Sequence, residues 1–120
     1  MNNRIEKVNA EMQKAISQII TYEMSNPKIQ GIITVSKVDT TPDLDYARVY
    51  ISILDKSTRE EVFNEIRHSA NFIRREVAKK VLLRKMPFLE FKLDESLDYG
   101  EKINSIVEKI SKEREAINED

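Results

Sequence analysis

The 120-residue chain contains no cysteine, one histidine and only two glycines, Gly31 and Gly100. Without cysteine there can be no disulfide and no thiolate chemistry, which fits a cytoplasmic protein. A zinc site needs more imidazoles than His68 alone supplies, and two glycines cannot form a Walker loop or a dinucleotide-binding fingerprint. We therefore expect no catalytic residues, no metal site, no other cofactor, no small-molecule substrate and no enzymatic activity.

Long apolar runs are also missing. No segment approaches the roughly 20 consecutive apolar residues that span a bilayer, and residues 1–4 lack the apolar stretch of a secretory signal. A hydrophobic content of 40% and a charged content of 34% are typical of a globular domain. The sequence therefore predicts one soluble, cytoplasmic domain that does not bind a membrane, and nothing in it requires more than a monomer.

Positive charge, by contrast, is concentrated in one stretch of a chain whose net charge is −1. Positions 67–85 hold seven basic residues and one acid, whereas positions 94–120 hold nine acids and four bases. Such a cluster is typical of a surface that binds a polyanion, although a solvated helix face is the ordinary alternative. The basic residues are Arg67, Arg74, Arg75, Lys79, Lys80, Arg84 and Lys85.

The spacing of apolar residues predicts an α+β fold. Helical periodicity predicts helices over residues 4–24 and 101–117, and a long helical region that runs from a Ser57/Glu60 capping box to Leu82. Alternation and β-branched residues predict strands over 32–40, 44–54 and 88–94. The first two strands should form an antiparallel hairpin, and the helical crossover should make the second and third parallel. The order is α-β-β-α-α-β, with a kink at Ser69-Ala70-Asn71, a three-stranded sheet and a C-terminal helix.

Some side chains outside and beside the basic cluster allow two interpretations. Lys80 flanks the apolar stripe and could simply extend its charged end to solvent. Phe72 is favoured as a core residue over a base-stacking one, and Tyr46 and Tyr50 share the more polar strand face unless helices cover it. Three bases of the first helix are favoured as ordinary solvated charges: Arg4, Lys7 and Lys14.

Several ordered motifs occur between about residues 3 and 100. They are Asn26-Pro27-Lys28-Ile29, Thr41-Pro42-Asp43-Leu44-Asp45-Tyr46-Ala47-Arg48-Val49-Tyr50, Phe72-Ile73-Arg74-Arg75-Glu76, Leu83-Arg84-Lys85-Met86-Pro87-Phe88-Leu89-Glu90-Phe91 and Asp94-Glu95-Ser96-Leu97 followed by Gly100. Together these motifs resemble the ribosome-binding factor A family.

This resemblance implies a type II KH-like domain that binds RNA, associates with free 30S subunits, and assists late 30S maturation and 16S rRNA processing without being an enzyme. The family lacks the Gly-x-x-Gly loop of typical KH domains and has instead a helix kinked at an Ala-x-Gly motif. Here that motif reads Ser69-Ala70-Asn71. Because asparagine tolerates left-handed dihedral angles, we expect Asn71 to preserve the kink.

The combined prediction is a KH-like RNA-binding domain over residues 1–100 and an acidic helix with a frayed tail over residues 101–120. Its partners would be the 30S subunit and precursor 16S rRNA. Two alternatives remain: a protein-interaction adaptor that uses the acidic C-terminal helix, and a general single-strand binder. The predicted RNA-binding residues are Arg67, Asn71, Arg74, Arg75, Lys79, Lys80, Arg84 and Lys85.

Overall fold

A computed structural model describes residues 3–96, so the predicted C-terminal helix and the predicted domain boundary at residue 100 lie outside the described residues. The elements are α1 (Asn3–Gln18), β1 (Ile33–Thr40), β2 (Tyr46–Ile53), α2 (Arg59–His68), α3 (Ala70–Lys80) and β3 (Phe88–Leu93). The strands form one sheet in the order β1-β2-β3. β1 is antiparallel to β2, and β2 is parallel to β3. The predicted α+β fold and both strand pairings are confirmed.

The helices cover one face of the sheet with their apolar stripes. Met12 and Ile16 of α1 have no exposed surface, and neither have Val49 and Ile51 of β2. Burying each large aliphatic side chain contributes roughly 1.5–3 kcal/mol, so this layer is the main source of stability. The helical pair contributes Val62, Ile66, Ile73 and Val77 to it. Among residues 3–96, no helix is both long enough and apolar enough to cross a membrane.

The first helix differs from its prediction at the C-terminal end. Regular α-helix stops at Gln18, and Ile19–Glu23 forms a π-helical turn in which Ile19 and Ile20 are both buried. Met24 then takes an extended conformation, with φ −93° and ψ 126°. The wider turn keeps both isoleucines in the core before the chain turns away ahead of Pro27.

The helical region breaks at Ser69, inside the predicted kink. Ser69 has φ −91° and ψ 8°, and its N–H is shared between the carbonyl oxygens of Glu65 at 3.1 Å and Ile66 at 3.0 Å. Its hydroxyl donates to the same Glu65 oxygen at 2.9 Å, a side-chain to backbone bond that bends helices. The expected role of Asn71 is wrong, because Asn71 lies within α3 and, of the non-glycine residues described, only Leu44 has a positive φ.

Both ends of the α2–α3 pair also differ from the sequence prediction. The Ser57/Glu60 capping box does not form: α2 begins at Arg59 after Thr58, and the Ser57 hydroxyl instead donates to Asp55 Oδ1 at 2.7 Å. At the other end α3 stops at Lys80 because Val81 is extended. Leu82, predicted as part of the apolar stripe, is therefore turned outward and is 99% exposed.

Candidate nucleic-acid interface

Four of the eight predicted residues form one exposed row along the α2–α3 pair, which we call the basic stripe: Arg67, Asn71, Arg75 and Lys79. Within α3, a spacing of four residues keeps Asn71, Arg75 and Lys79 on nearly the same side of the helix, and the eight-residue step from the first to the last corresponds to about 12 Å. Arg67 is exposed on α2, before the break at Ser69. Two positively charged guanidinium groups, one ammonium group and one amide are thus exposed to an anionic ligand along the α2–α3 pair.

Within residues 3–96, few groups contact the charged ends of the stripe. The Arg67 guanidinium lies 5.9 Å from the centroid of the Phe63 ring. Lys79 Nζ lies 3.3 Å from Glu76 Oε1, with the lysine side chain 70% exposed. Exposed ion pairs of this kind contribute little and exchange readily with other partners. These charges therefore remain available for an external polyanion.

Arg74 is separated from the stripe, although the sequence grouped it there. Its Nε donates to the carbonyl oxygen of Pro87 at 3.0 Å and its Nη2 to that of Met86 at 2.7 Å. The guanidinium also lies 4.4 Å from the centroid of the Phe88 ring. Arg74 thus fixes the segment that leads into β3, and its donors are directed at the protein's own backbone.

We expect Arg74→Met to lower the free energy of unfolding by about 1–3 kcal/mol, because two carbonyl oxygens lose a charged donor and the ring loses its cation. Urea unfolding measures the change. The matched control is Arg75→Met, an exposed site where a change within about 0.5 kcal/mol is expected. Equal midpoints for the two variants would show that Arg74 does not stabilise the fold.

The remaining three predicted residues lie near the C-terminal end of α3. Lys80 Nζ is 3.2 Å from Glu23 Oε2 of the π-helical turn. Lys85 Nζ contacts Asp45 Oδ1 in the β1–β2 connection, and this hydrogen bond raises the pKa of Lys85. Arg84 is exposed at the edge of a groove beside α1. The two lysines therefore link elements of the fold, whereas Arg84 extends the positive surface beyond the stripe.

The open face of the sheet carries exposed aromatic rings, one of which sequence reasoning did not single out. Tyr46 and Phe88 pair across β2 and β3 with centroids 6.2 Å apart, and they are 54% and 57% exposed. The alternation of β3, with Leu89 and Phe91 directed to the core, was the signal for Phe88. Acids lie on this face beside the bases, so it favours a polyanion less than the stripe does; they include Asp39 and Glu90. Phe72 packs against the core as expected.

Metal chemistry finds no support in the described part of the chain. Residues 3–96 contain no group of three or more His, Asp or Glu side chains that could hold a metal ion. The Asp43 carboxylate, in the connection between β1 and β2, accepts hydrogen bonds from Thr41 Oγ1 at 2.7 Å and from the Asp45 N–H at 3.0 Å. Those bonds lower the pKa of Asp43, and they are the bonds of a tight turn.

Solved structures share this fold. A solution structure of a Thermotoga maritima protein described as a ribosome-binding factor A matches with a TM-score of 0.67 and 26% identity, over 80% of this chain and 93% of the other. The crystal structure of Thermus thermophilus ribosome-binding factor A matches with a TM-score of 0.66 and 20% identity, over 74% and 94%. A homology model of the Thermus protein, fitted into a cryo-EM map of its 30S complex, matches with a TM-score of 0.58 and 19% identity, over 72% and 91%.

Other relatives have a higher sequence identity to this chain than these structures do. Ribosome-binding factor A of Clostridium kluyveri is 38% identical over 98% of both chains. The Clostridium tetani protein of that name is 40% identical over 89% of both. The family model of ribosome-binding factor A matches residues 4–107, which include every residue of the basic stripe. The chain therefore belongs to the ribosome-binding factor A family.

Proposed function

We propose that this chain is an RNA-binding factor that binds the free 30S ribosomal subunit and assists its late maturation and the processing of 16S rRNA. The basic stripe carries this proposal, since it presents three exposed cations along the α2–α3 pair. Support for the partner comes from the family and from the Thermus relative, whose model was fitted into a map of its 30S complex. The protein would act in the cytoplasm, as a monomer and without catalysis.

The stripe is suited to the phosphate backbone of RNA. Backbone contacts position a protein on a nucleic acid and supply much of the affinity, while carrying little sequence information. The Asn71 amide can both donate and accept hydrogen bonds, so it suits a ribose hydroxyl or a base edge. Selectivity would then come from the shape of the rRNA at this stage of assembly.

The protein would act by occupying its binding site on the rRNA. A bound factor shifts the population of RNA conformations only by the difference in its affinity for them. The buried side chains of Ile66, Ile73 and Val77 hold the stripe in one geometry, so the affinity difference would depend on how well the immature rRNA matches that geometry. Neither a nucleotide nor a metal is required for such a role.

The test measures how binding to purified precursor 30S subunits depends on salt concentration. Fluorescence anisotropy of the labelled protein reports the binding. Three stripe cations on phosphates give a slope of log affinity against log salt of at least about −2, since each contact contributes about −0.7 for single strands. A flat response would contradict the proposal and favour a protein-interaction adaptor. Equal affinity for an unrelated RNA of similar length would indicate a general single-strand binder instead.

A further inference from the structure

A second concentration of positive charge lines a groove of about 660 Å³ between α1 and the segment that follows α3. Among residues 3–96, five basic side chains line it and one acid, Glu11. Its floor is apolar and contains Val8, Ala15 and Leu44. The basic side chains are Arg4, Lys7 and Lys14 on one wall and Lys80 and Arg84 on the other.

The walls come from distant parts of the sequence. Positions 4, 7, 11, 14 and 18 follow one another at three- and four-residue spacing, so their side chains share one side of α1. That side borders the apolar stripe, which packs into the core. Val81 and Leu83 leave α3 in an extended segment and form the facing wall. Bases that resemble ordinary solvated charges in the sequence therefore become one wall of a groove.

Within the described part of the chain, the groove's cations are poorly neutralised. Lys80 pairs with Glu23, whereas Arg4, Lys7, Lys14 and Arg84 form no ion pair with a residue between 3 and 96. Helix stability does not explain the bases near the start of α1, because cations at a helix N-terminus oppose the helix dipole. Mutually repelling charges of this kind are typical of a site for an external anion.

The groove begins at the end of α3, where the basic stripe ends. Lys80, on its wall, directly follows Lys79, the last residue of the stripe, although the two side chains lie about 100° apart around the helix. The neighbouring Leu82 is 99% exposed on the lip, where an isolated leucine can pack against the apolar face of a ribose or base. A ligand that runs along α3 thus meets further positive charge at the end of the helix.

We propose that this groove binds the phosphodiester backbone of an RNA strand that continues from the basic stripe. The proposal rests on the proposed function and extends it, since it adds Arg4, Lys7 and Lys14 to the RNA-contacting residues. Ten residues of α1 separate the first and last of these bases, or about 15 Å, enough for several phosphates. An acidic amphipathic helix is the other ligand that a basic groove with an apolar floor would suit. The excess of bases and the position of the groove at the end of the stripe favour RNA.

The test uses the full chain with Arg4→Gln, Lys7→Gln and Lys14→Gln combined. We expect its slope of log affinity against log salt, measured on purified precursor 30S subunits, to be shallower than that of the unmodified protein by about 2, because three phosphate contacts are lost. The matched control removes three charges from other surfaces, with Lys37→Gln, Lys56→Gln and Lys92→Gln. Its slope should equal that of the unmodified protein.

The remaining outcomes contradict the groove proposal, and they show whether the proposed function fails with it. An unchanged slope in the α1 triple variant, together with lost binding in an Arg75→Glu/Lys79→Glu variant, would remove the groove from the RNA path and leave the proposed function intact. Normal binding by both variants would contradict the proposed function as well. A lowered thermal transition temperature of the free α1 variant, with unchanged subunit affinity, would assign the groove to the chain's own C-terminal segment, residues 101–120, which has six acids and four bases.

Discussion

Reversing the charges of Arg75 and Lys79 together should abolish association with the 30S subunit and leave the thermal transition of the protein largely unchanged. Both side chains are exposed on α3 and belong to the basic stripe. The double substitution Arg75→Glu/Lys79→Glu places two carboxylates against the phosphates that the stripe is proposed to bind. Like charges brought together at an interface cost several kcal/mol, so affinity should fall by at least about a hundredfold.

Co-sedimentation with purified 30S subunits measures this loss. The control reverses two charges on other surfaces, with Lys37→Glu/Lys56→Glu, and should still co-sediment. Arg74 is left unchanged, because its loss would disturb the segment before β3 and confuse instability with lost binding. Normal co-sedimentation of the stripe variant, with normal unfolding, would show that RNA is bound by another surface.

Truncating Ile73 to alanine should lower the free energy of unfolding by about 2–5 kcal/mol. Ile73 has no exposed surface and lies in α3, beneath the basic stripe. Its removal takes apolar area from the core and leaves a cavity where the helical pair packs on the sheet. Because small domains are stable by only about 5–15 kcal/mol, this one substitution removes a large fraction of the total.

Urea unfolding of Ile73→Ala and Ile73→Val provides the comparison. The valine variant keeps most of the volume and should cost only about 0.5–1.5 kcal/mol. The folded fraction of Ile73→Val should bind 30S subunits normally, since the stripe is untouched. Equal losses in the two variants would mean that the site collapses without a cavity, and that the stripe rests on a less rigid base than proposed.

Much of the fold was predictable because the signals are local. The apolar spacing of α1 and the alternation of β2 both hold in the structure, as do the two strand pairings. Two of the errors fell where a side chain competes with the helix backbone. Ser69 breaks the helix by bonding back to Glu65, and Ser57 bonds to Asp55 rather than capping α2. The free-energy difference between such alternatives is smaller than that of one hydrogen bond, and the spacing of residues in the sequence does not reveal it.

The candidate site also has features that the sequence predicts and features that it does not. The sequence predicts the stripe only in part, because a spacing of three or four residues admits either Arg74 or Arg75 between Asn71 and Lys79. Arg74 has the same side chain as its neighbour Arg75 and the same local charge, yet it bonds to Met86 and Pro87. The sequence records that a base is present at each position, but a helix turns about 100° per residue. Which of two adjacent bases meets the backbone depends on where β3 enters the sheet.

The amino-acid sequence is sufficient to predict the class of fold, the apolar stripes that build its core and the concentration of positive charge between residues 67 and 85. Periodicity and composition are properties of neighbouring residues, so they can be seen without knowing the fold. The packed structure was needed to show which cations contact other parts of residues 3–96, and that Arg4 and Arg84, eighty positions apart, line one groove. Charge acts through space, and distances across the molecule exist only once the chain has packed.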